Sequence, residues 1–201
     1  MLISLVNVEK KYNGHIILEN LTLYIDKPGL YIIHGVNGSG KSTLIKLLSG
    51  IIYKSDGEFE INSTISYLPD KFTMPKLMRV KSYLSLILKE KDKMEELVSK
   101  FQIPNKRIGE LSKGNQQKLG LLQILDYEAD CYILDEPLDG LDDYAKKLFK
   151  EILKEKLENN KIIILSLHNK SIFNDLSPTI LDIKEGRINE KRKKPKLDLF
   201  D

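Results

Sequence analysis

Gly35-Val36-Asn37-Gly38-Ser39-Gly40-Lys41-Ser42 follows the pattern G-x-x-x-x-G-K-[ST], whose glycines let successive backbone N–H groups turn inward as an anion-binding nest. A helix opening at Lys41 would add the positive end of its dipole to that nest. In such a loop Gly35, Asn37, Gly38, Ser39 and Gly40 wrap the phosphates of a nucleotide, and Lys41 sets a fixed cation against the β- and γ-phosphates. The Ser42 hydroxyl can ligate Mg2+, and Thr43 reaches the α-phosphate side. The competing reading is a glycine-rich turn that happens to precede a helix. The full pattern, set between a strand-like and a helix-like segment, argues against it.

A second cluster closes the apolar run Tyr132-Ile133-Leu134 with Asp135 and Glu136. The first carboxylate suits Mg2+ opposite Ser42, and the second can polarise an attacking water as general base. Standing alone, an Asp-Glu pair after a strand would be ordinary loop solvation. Beside a phosphate-binding loop it implies nucleotide hydrolysis, without naming a family.

These residues need a scaffold, and the flanking patterns supply one. Residues 2–25 alternate short β-rich runs around the turn Asn13-Gly14 and read as an antiparallel meander. A strand over 30–34 feeds the glycine loop, and the helix that follows stops at Gly50. Further β-rich pieces span 58–61 and 64–68. Over 80–101 apolar residues recur at helical spacing, bounded by Pro75 and Pro104, and helix resumes from Ser112 to near Tyr127. The last third predicts strand 131–134, helix 143–159, strand 161–167, a short helix near 171–176 and a hairpin turning at Glu185-Gly186. Continuous apolar strands between amphipathic helices indicate an α/β fold with a mainly parallel sheet covered on both faces. His34, inside a strand, reads as structural, and His15 as a turn residue.

Composition narrows the class. The chain has 201 residues, 41% hydrophobic and 30% charged, with a net charge of +3, which fits one globular domain and excludes a disordered chain. Cys131 is the single cysteine, so no intramolecular disulfide forms, and its apolar surroundings suggest a buried thiol. No run approaches the ~18 apolar residues of a membrane span, and the N-terminus lacks the features of a secretory signal. Both point to a cytoplasmic chain. Lys191, Arg192, Lys193, Lys194 and Lys196 make a basic tail over about 189–201 that reads as a solvated end, with anionic lipid or nucleic acid as the alternative.

Further motifs give the chain a resemblance. Leu111-Ser112-Lys113-Gly114-Asn115-Gln116-Gln117 resembles the L-S-G-G-Q signature of ABC ATPases, and Pro137-Leu138-Asp139-Gly140-Leu141-Asp142 looks like the D-loop of that family. His168 stands where its switch histidine would be, and Tyr12 resembles the aromatic that stacks on adenine. Tyr67-Leu68-Pro69-Asp70 resembles the segment where the family has glutamine, so Asp70 takes the position that links Mg2+ and the attacking water to the helical subdomain. Three departures stand out: Lys113 for a signature glycine, Asn115 for its glutamine, and Asp70.

The resemblance covers nearly the whole chain and implies a P-loop NTPase core with a mainly parallel sheet, an N-terminal antiparallel β-subdomain and a helical subdomain over about 75–127. It implies ATP with Mg2+, catalysis by Glu136, His168 and Asp70, and Mg2+ held by Ser42, Asp70 and Asp135. It also implies a head-to-tail homodimer or heterodimer, in which Ser112, Gly114 and Asp142 help complete the nucleotide site. An integral membrane permease would be the partner, held at the inner face of the cell membrane through a groove near Leu77 and Met78, with no direct nucleic-acid contact. The motor of an exporter is the leading expectation; a soluble ABC ATPase acting on ribosomes or nucleic acid is the alternative.

Overall fold

The computed structural model describes residues 3–88 and 91–192. In chain order the strands and α-helices are β1 (Ile3–Tyr12), β2 (His15–Ile25), β3 (Gly29–His34), α1 (Lys41–Leu48), β4 (Asp56–Ile61), β5 (Ile65–Leu68), α2 (Val80–Ile87), α3 (Lys91–Lys100), α4 (Lys113–Asp126), β6 (Cys131–Asp135), α5 (Asp143–Glu158), β7 (Ile162–Ser166), β8 (Thr179–Lys184) and β9 (Arg187–Arg192). Single 3-10 turns occupy Ile108–Glu110 and Ser171–Leu176. Among the described residues no helix is long and apolar enough to cross a membrane.

Two sheets form. One is antiparallel in the order β2-β1-β4; the other runs β5-β6-β7-β3-β8-β9, parallel except for the β8–β9 hairpin. The central strands β6 and β7 are buried at every position, and apolar in all but the last, because both their faces are covered. Along β3, Leu30 and Ile32 join one core while Tyr31 and Ile33 join the other; β6 divides Tyr132 and Leu134 from Cys131 and Ile133 in the same way. The second core lies under α1 and the antiparallel sheet. There Leu44, Ile45, Leu47 and Leu48 are fully buried, each stabilising the fold by about 1.5–3 kcal/mol. Burial pushes the Cys131 thiol up to about 12, so this cysteine is a packing residue.

On the opposite face α5 presents Ala145, Phe149 and Leu153 at four-residue spacing to the first core, where Phe149 meets Phe173 edge-to-face at 6.3 Å. The apolar pieces on either side of Asn62-Ser63 part company: β4 pairs with β1, whereas β5 becomes the edge of the parallel sheet beside β6. The final hairpin runs into the segment read as a basic tail, since β9 continues to Arg192 and its backbone at Lys191 pairs with Ile180. The basic segment therefore begins as a strand; Lys193, Lys194 and Lys196 lie outside the described residues.

Candidate active site

The parallel strands β3, β6 and β7 end at the same edge of the sheet, and the chemistry collects there. Strand β3 turns into α1 through residues 35–40. A methyl group on Gly35 would stand 2.4 Å from the Ile183 carbonyl oxygen, so only glycine lets the chain leave the sheet at this point. Gly40 takes φ 104° and no side chain caps α1, which leaves the first-turn N–H groups free to meet an anion. Ser39 Oγ is buried without a hydrogen-bond partner, a donor that a phosphate oxygen would satisfy. Lys41 is only 7% exposed, and its Nζ donates to the carbonyls of Gly35 (2.9 Å) and Val36 (3.2 Å). The loop is therefore preformed, with its cation already inside.

At the end of β6, Asp135 is 2% exposed and accepts a hydrogen bond from the Ser166 hydroxyl. The same Ser166 Oγ accepts from the Glu136 N–H at 2.9 Å. Ser166 thus ties the two carboxylate residues to β7. Sequence reasoning missed it; the available signal was a hydroxyl closing the apolar run Ile162-Ile163-Ile164-Leu165. Glu136 has φ 48°, a conformation that costs a non-glycine residue energy and turns the chain sharply off the strand. Its Oε1 lies 3.3 Å from His168 Nε2. Burial raises the Glu136 carboxyl above the ordinary carboxylate range; His168 and Lys41 oppose that shift, and Asp135 and Asp139 add to it.

These groups border one open cavity of about 560 Å3, lined by Tyr12, Ile17, Asn37, Gly38, Gly40, Lys41, Ser42, Thr43, Asp70, Glu136, Asp139 and His168. Residues expected from separate motifs across the chain therefore meet, and Ile17 and Asp139 join them. Asp139 follows from the cavity alone. Tyr12 is 43% exposed at the rim, with Lys10 Nζ over its ring at 4.9 Å. Gly35, Ser39 and Asp135 are not among the residues that line it.

Ser112, Gly114 and Asp142 do not line this cavity. Ser112 Oγ caps α4 by accepting from the Asn115 N–H at 3.2 Å. A Cβ on Gly114 would come within 2.3 Å of the Gly140 carbonyl oxygen, so the close approach that requires glycine here is to the chain's own D-loop segment. Asp142 caps α5 through the Ala145 N–H at 2.8 Å and pairs with Lys118 Nζ at 2.6 Å. Lys113, which stands in place of a signature glycine, is paired with Asp139 at 3.1 Å. The start of α4 and residues 137–142 are thereby bolted together.

Against known proteins, residues 18–139 match the model of the ABC transporter family. A cytochrome c biogenesis ATP-binding export protein of Reclinomonas americana is 33% identical over 187 residues, covering 83% of this chain and 84% of that protein. A zinc import ATP-binding protein of Wolbachia sp. subsp. Brugia malayi is 30% identical over 211 residues, covering 94% and 86%. Among solved structures, a dimeric post-hydrolysis state of an ATP-binding cassette bound to ADP and Pi superposes with a TM-score of 0.83 at 19% identity, over 96% of this chain and 99% of the other.

Proposed function

We propose, because this chain belongs to the ABC transporter family of ATP-binding proteins, that it is the ATP-hydrolysing subunit that drives a separate membrane permease, and that the direction is export. The observation that carries the reading is the Glu136–His168 pair at 3.3 Å, facing Lys41 across the cavity. Backbone N–H groups of residues 35–42 bind the phosphates, Lys41 fixes their orientation, and Tyr12 offers a ring to the base. Glu136, the better proton acceptor for its burial, takes the proton of the attacking water. His168 holds the Glu136 carboxylate and donates toward the γ-phosphate.

Mg2+ suits the donor set. The Ser42 hydroxyl and Asp70 carboxylate at the cavity and the buried Asp135 carboxylate are hard oxygen donors, the kind this ion takes beside phosphate and water. Ser42, Asp70 and Asp135 are the residues that would hold it. When bound it neutralises charge on the β- and γ-phosphates.

Ser112, Gly114 and Asp142 serve a second copy or a related domain in a head-to-tail pair. The dimer described for the structural neighbour bound to ADP and Pi supports that arrangement. Export rests on the Leu68-Pro69-Asp70 and Ser112-Lys113-Gly114 segments and on the likeness to the Reclinomonas export protein; the Wolbachia relative is named for import. Of the residues expected at the permease groove, Leu77 is 85% exposed while Met78 packs against the first core; Leu77 and Leu86 (72% exposed) are the apolar residues offered to the permease, which holds the chain at the inner face of the membrane.

The test is capture of tagged Glu136→Gln protein with ATP from mildly detergent-solubilised cells, followed by mass spectrometry. One multi-spanning membrane protein in stoichiometric amount is expected. Ribosomal proteins or nucleic acid with no membrane protein would refute the transport reading. Direction is then read from the permease reconstituted with the chain in vesicles.

A further inference from the structure

The mechanism above leaves unused a polar cluster behind the phosphate loop. His34 is the last residue of β3 and pairs in register with Asp182 on the neighbouring parallel strand β8. Its Nδ1 lies 3.0 Å from Asp182 Oδ1. The same carboxylate oxygen lies 3.8 Å from Lys170 Nζ. All three side chains are partly enclosed, with exposures of 33% for His34, 23% for Asp182 and 39% for Lys170.

We infer that Asp182 is a positioning residue for hydrolysis, holding through His34 and Lys170 the strand that feeds the phosphate loop and the segment that carries His168 at a fixed spacing. The inference rests on the ATPase reading of the site.

The argument starts from His168. Its side chain is 58% exposed, so packing does not orient it, and its place against Glu136 depends on its backbone. That backbone is pinned ahead of the ring by the Leu167 N–H, which donates to the Ile33 carbonyl at 3.2 Å. Beyond the ring, Asn169 Oδ1 accepts from the Ser171 N–H and hydroxyl, at 3.0 and 2.7 Å. Those bonds shape the turn but do not attach it to the sheet. Further on, Phe173 packs on Phe149 and Asp175 pairs with Lys150, but nearest the ring Lys170 reaches back to the sheet, and Asp182 is where it lands.

His34 sits one residue before Gly35, whose carbonyl holds Lys41 Nζ at 2.9 Å. One carboxylate therefore stands two residues from the histidine on one side and one residue from the lysine-binding glycine on the other. Small errors in such spacing are costly, since a displacement of about 1 Å lowers turnover by up to about a hundredfold. The carboxylate touches no reacting atom and need not contribute to nucleotide affinity.

The test uses the full chain and its histidines, of which there are three, His15, His34 and His168. Imidazole nitrogen–proton correlation spectra are recorded for wild type, Asp182→Ala, Asp182→Asn, His34→Leu and Lys170→Met, without nucleotide. Steady-state ATP hydrolysis and urea unfolding are measured on the same samples. Asp182→Ala is expected to shift the His168 signals and to lower kcat about tenfold, with KM for ATP within about twofold of wild type. Asp182→Asn keeps an acceptor for His34 but loses the charge facing Lys170, and is expected to match Lys170→Met. His34→Leu added to Asp182→Ala should cost nothing further, as for residues acting through one contact.

Unchanged His168 signals in Asp182→Ala, a wild-type kcat, or additive losses in the double variant would each overturn the inference. If Asp182→Ala does not fold, Asp182→Asn and Lys170→Met decide it, and unchanged His168 signals in both overturn it. A wild-type chain with no ATP turnover would refute the ATPase reading instead, and the imidazole signals alone would then decide whether the clamp exists.

Discussion

Replacing Ser166 with alanine removes a single oxygen from the most enclosed point of the site, and its cost can be worked from the contacts. Ser166 is fully buried. Its Oγ donates to Asp135 and accepts from the Glu136 N–H at 2.9 Å. The first is a hydrogen bond to a charged group, worth about 1.5–3 kcal/mol, and the second leaves a buried backbone donor unpaired at about 1–3 kcal/mol. Because one atom serves both, the losses overlap, and about 2–4 kcal/mol of destabilisation is expected. The gap left by one oxygen is too small for a water to restore either bond. In urea the midpoint should fall with an unchanged slope. Melting should drop by about 2–4 °C per kcal/mol for a chain of this size. Hydrolysis should fall more steeply than ATP affinity, since Glu136 loses the anchor of its strained backbone while the phosphate loop stays intact. A midpoint within about 0.5 kcal/mol of wild type, the range of an ordinary surface substitution, would show that Ser166 does not tie the two carboxylates.

Glu136→Gln should retain ATP binding and lose about 100-fold or more of its hydrolysis; full turnover by phosphate release would remove Glu136 as the base. Lys41→Ala should abolish ATP binding in equilibrium titration, because the cation inside the loop disappears. Gly114→Ala must displace backbone against the Gly140 carbonyl and should destabilise by about 1–3 kcal/mol, read by denaturant unfolding. Asp70→Gln should change the ATPase rate measured with the permease, and an unchanged rate would show that the shorter charged side chain alters nothing. The pH dependence has a definite sign. Burial raises the Glu136 carboxyl, so the base is lost as pH falls through a value above the ordinary carboxylate range, and kcat should decline there. A folded-state carboxyl pKa above the unfolded one means that this group favours folding at low pH and that its contribution is lost as pH rises through the folded value. Glu136→Gln should therefore be the more stable protein at neutral pH and lose that advantage in acid, measured by unfolding across the range.

What the sequence made legible follows the distance over which each interaction acts. The phosphate loop could be read directly because its donors are consecutive backbone groups. The Asp135–Glu136 pair could be read because it closes an apolar strand. The pairing of β5 with β6 rather than with β4 could not, since both pieces alternate alike and only the central sheet decides which edge is vacant. Ser166 was hidden, and Asp139 was visible only as a member of the D-loop-like segment, because their chemistry depends on neighbours brought together by strand order. The His34–Asp182 contact spans 148 residues, and neither residue stands out in its own segment. At Gly114 a close backbone approach is evident from the motif, but that the Gly140 carbonyl of the same chain is one such neighbour is a property of the packed chain.

The bolting of α4 to residues 137–142 has a mechanical consequence. Asp139 borders this chain's own nucleotide cavity, while Ser112 caps the helix that Lys113, Gly114 and Lys118 fasten to the same segment. In the proposed head-to-tail pair that helix end faces the other nucleotide. One stiff piece then spans from one fuel chamber to the next, with an ion pair at each end and a glycine contact between them. In that pair, a shift begun by hydrolysis in one chamber would arrive at the other as displacement rather than being absorbed in a flexible joint. Two such machines would keep time with each other through a coupling rod, α4 with residues 137–142, that is already assembled in each chain before the pair forms.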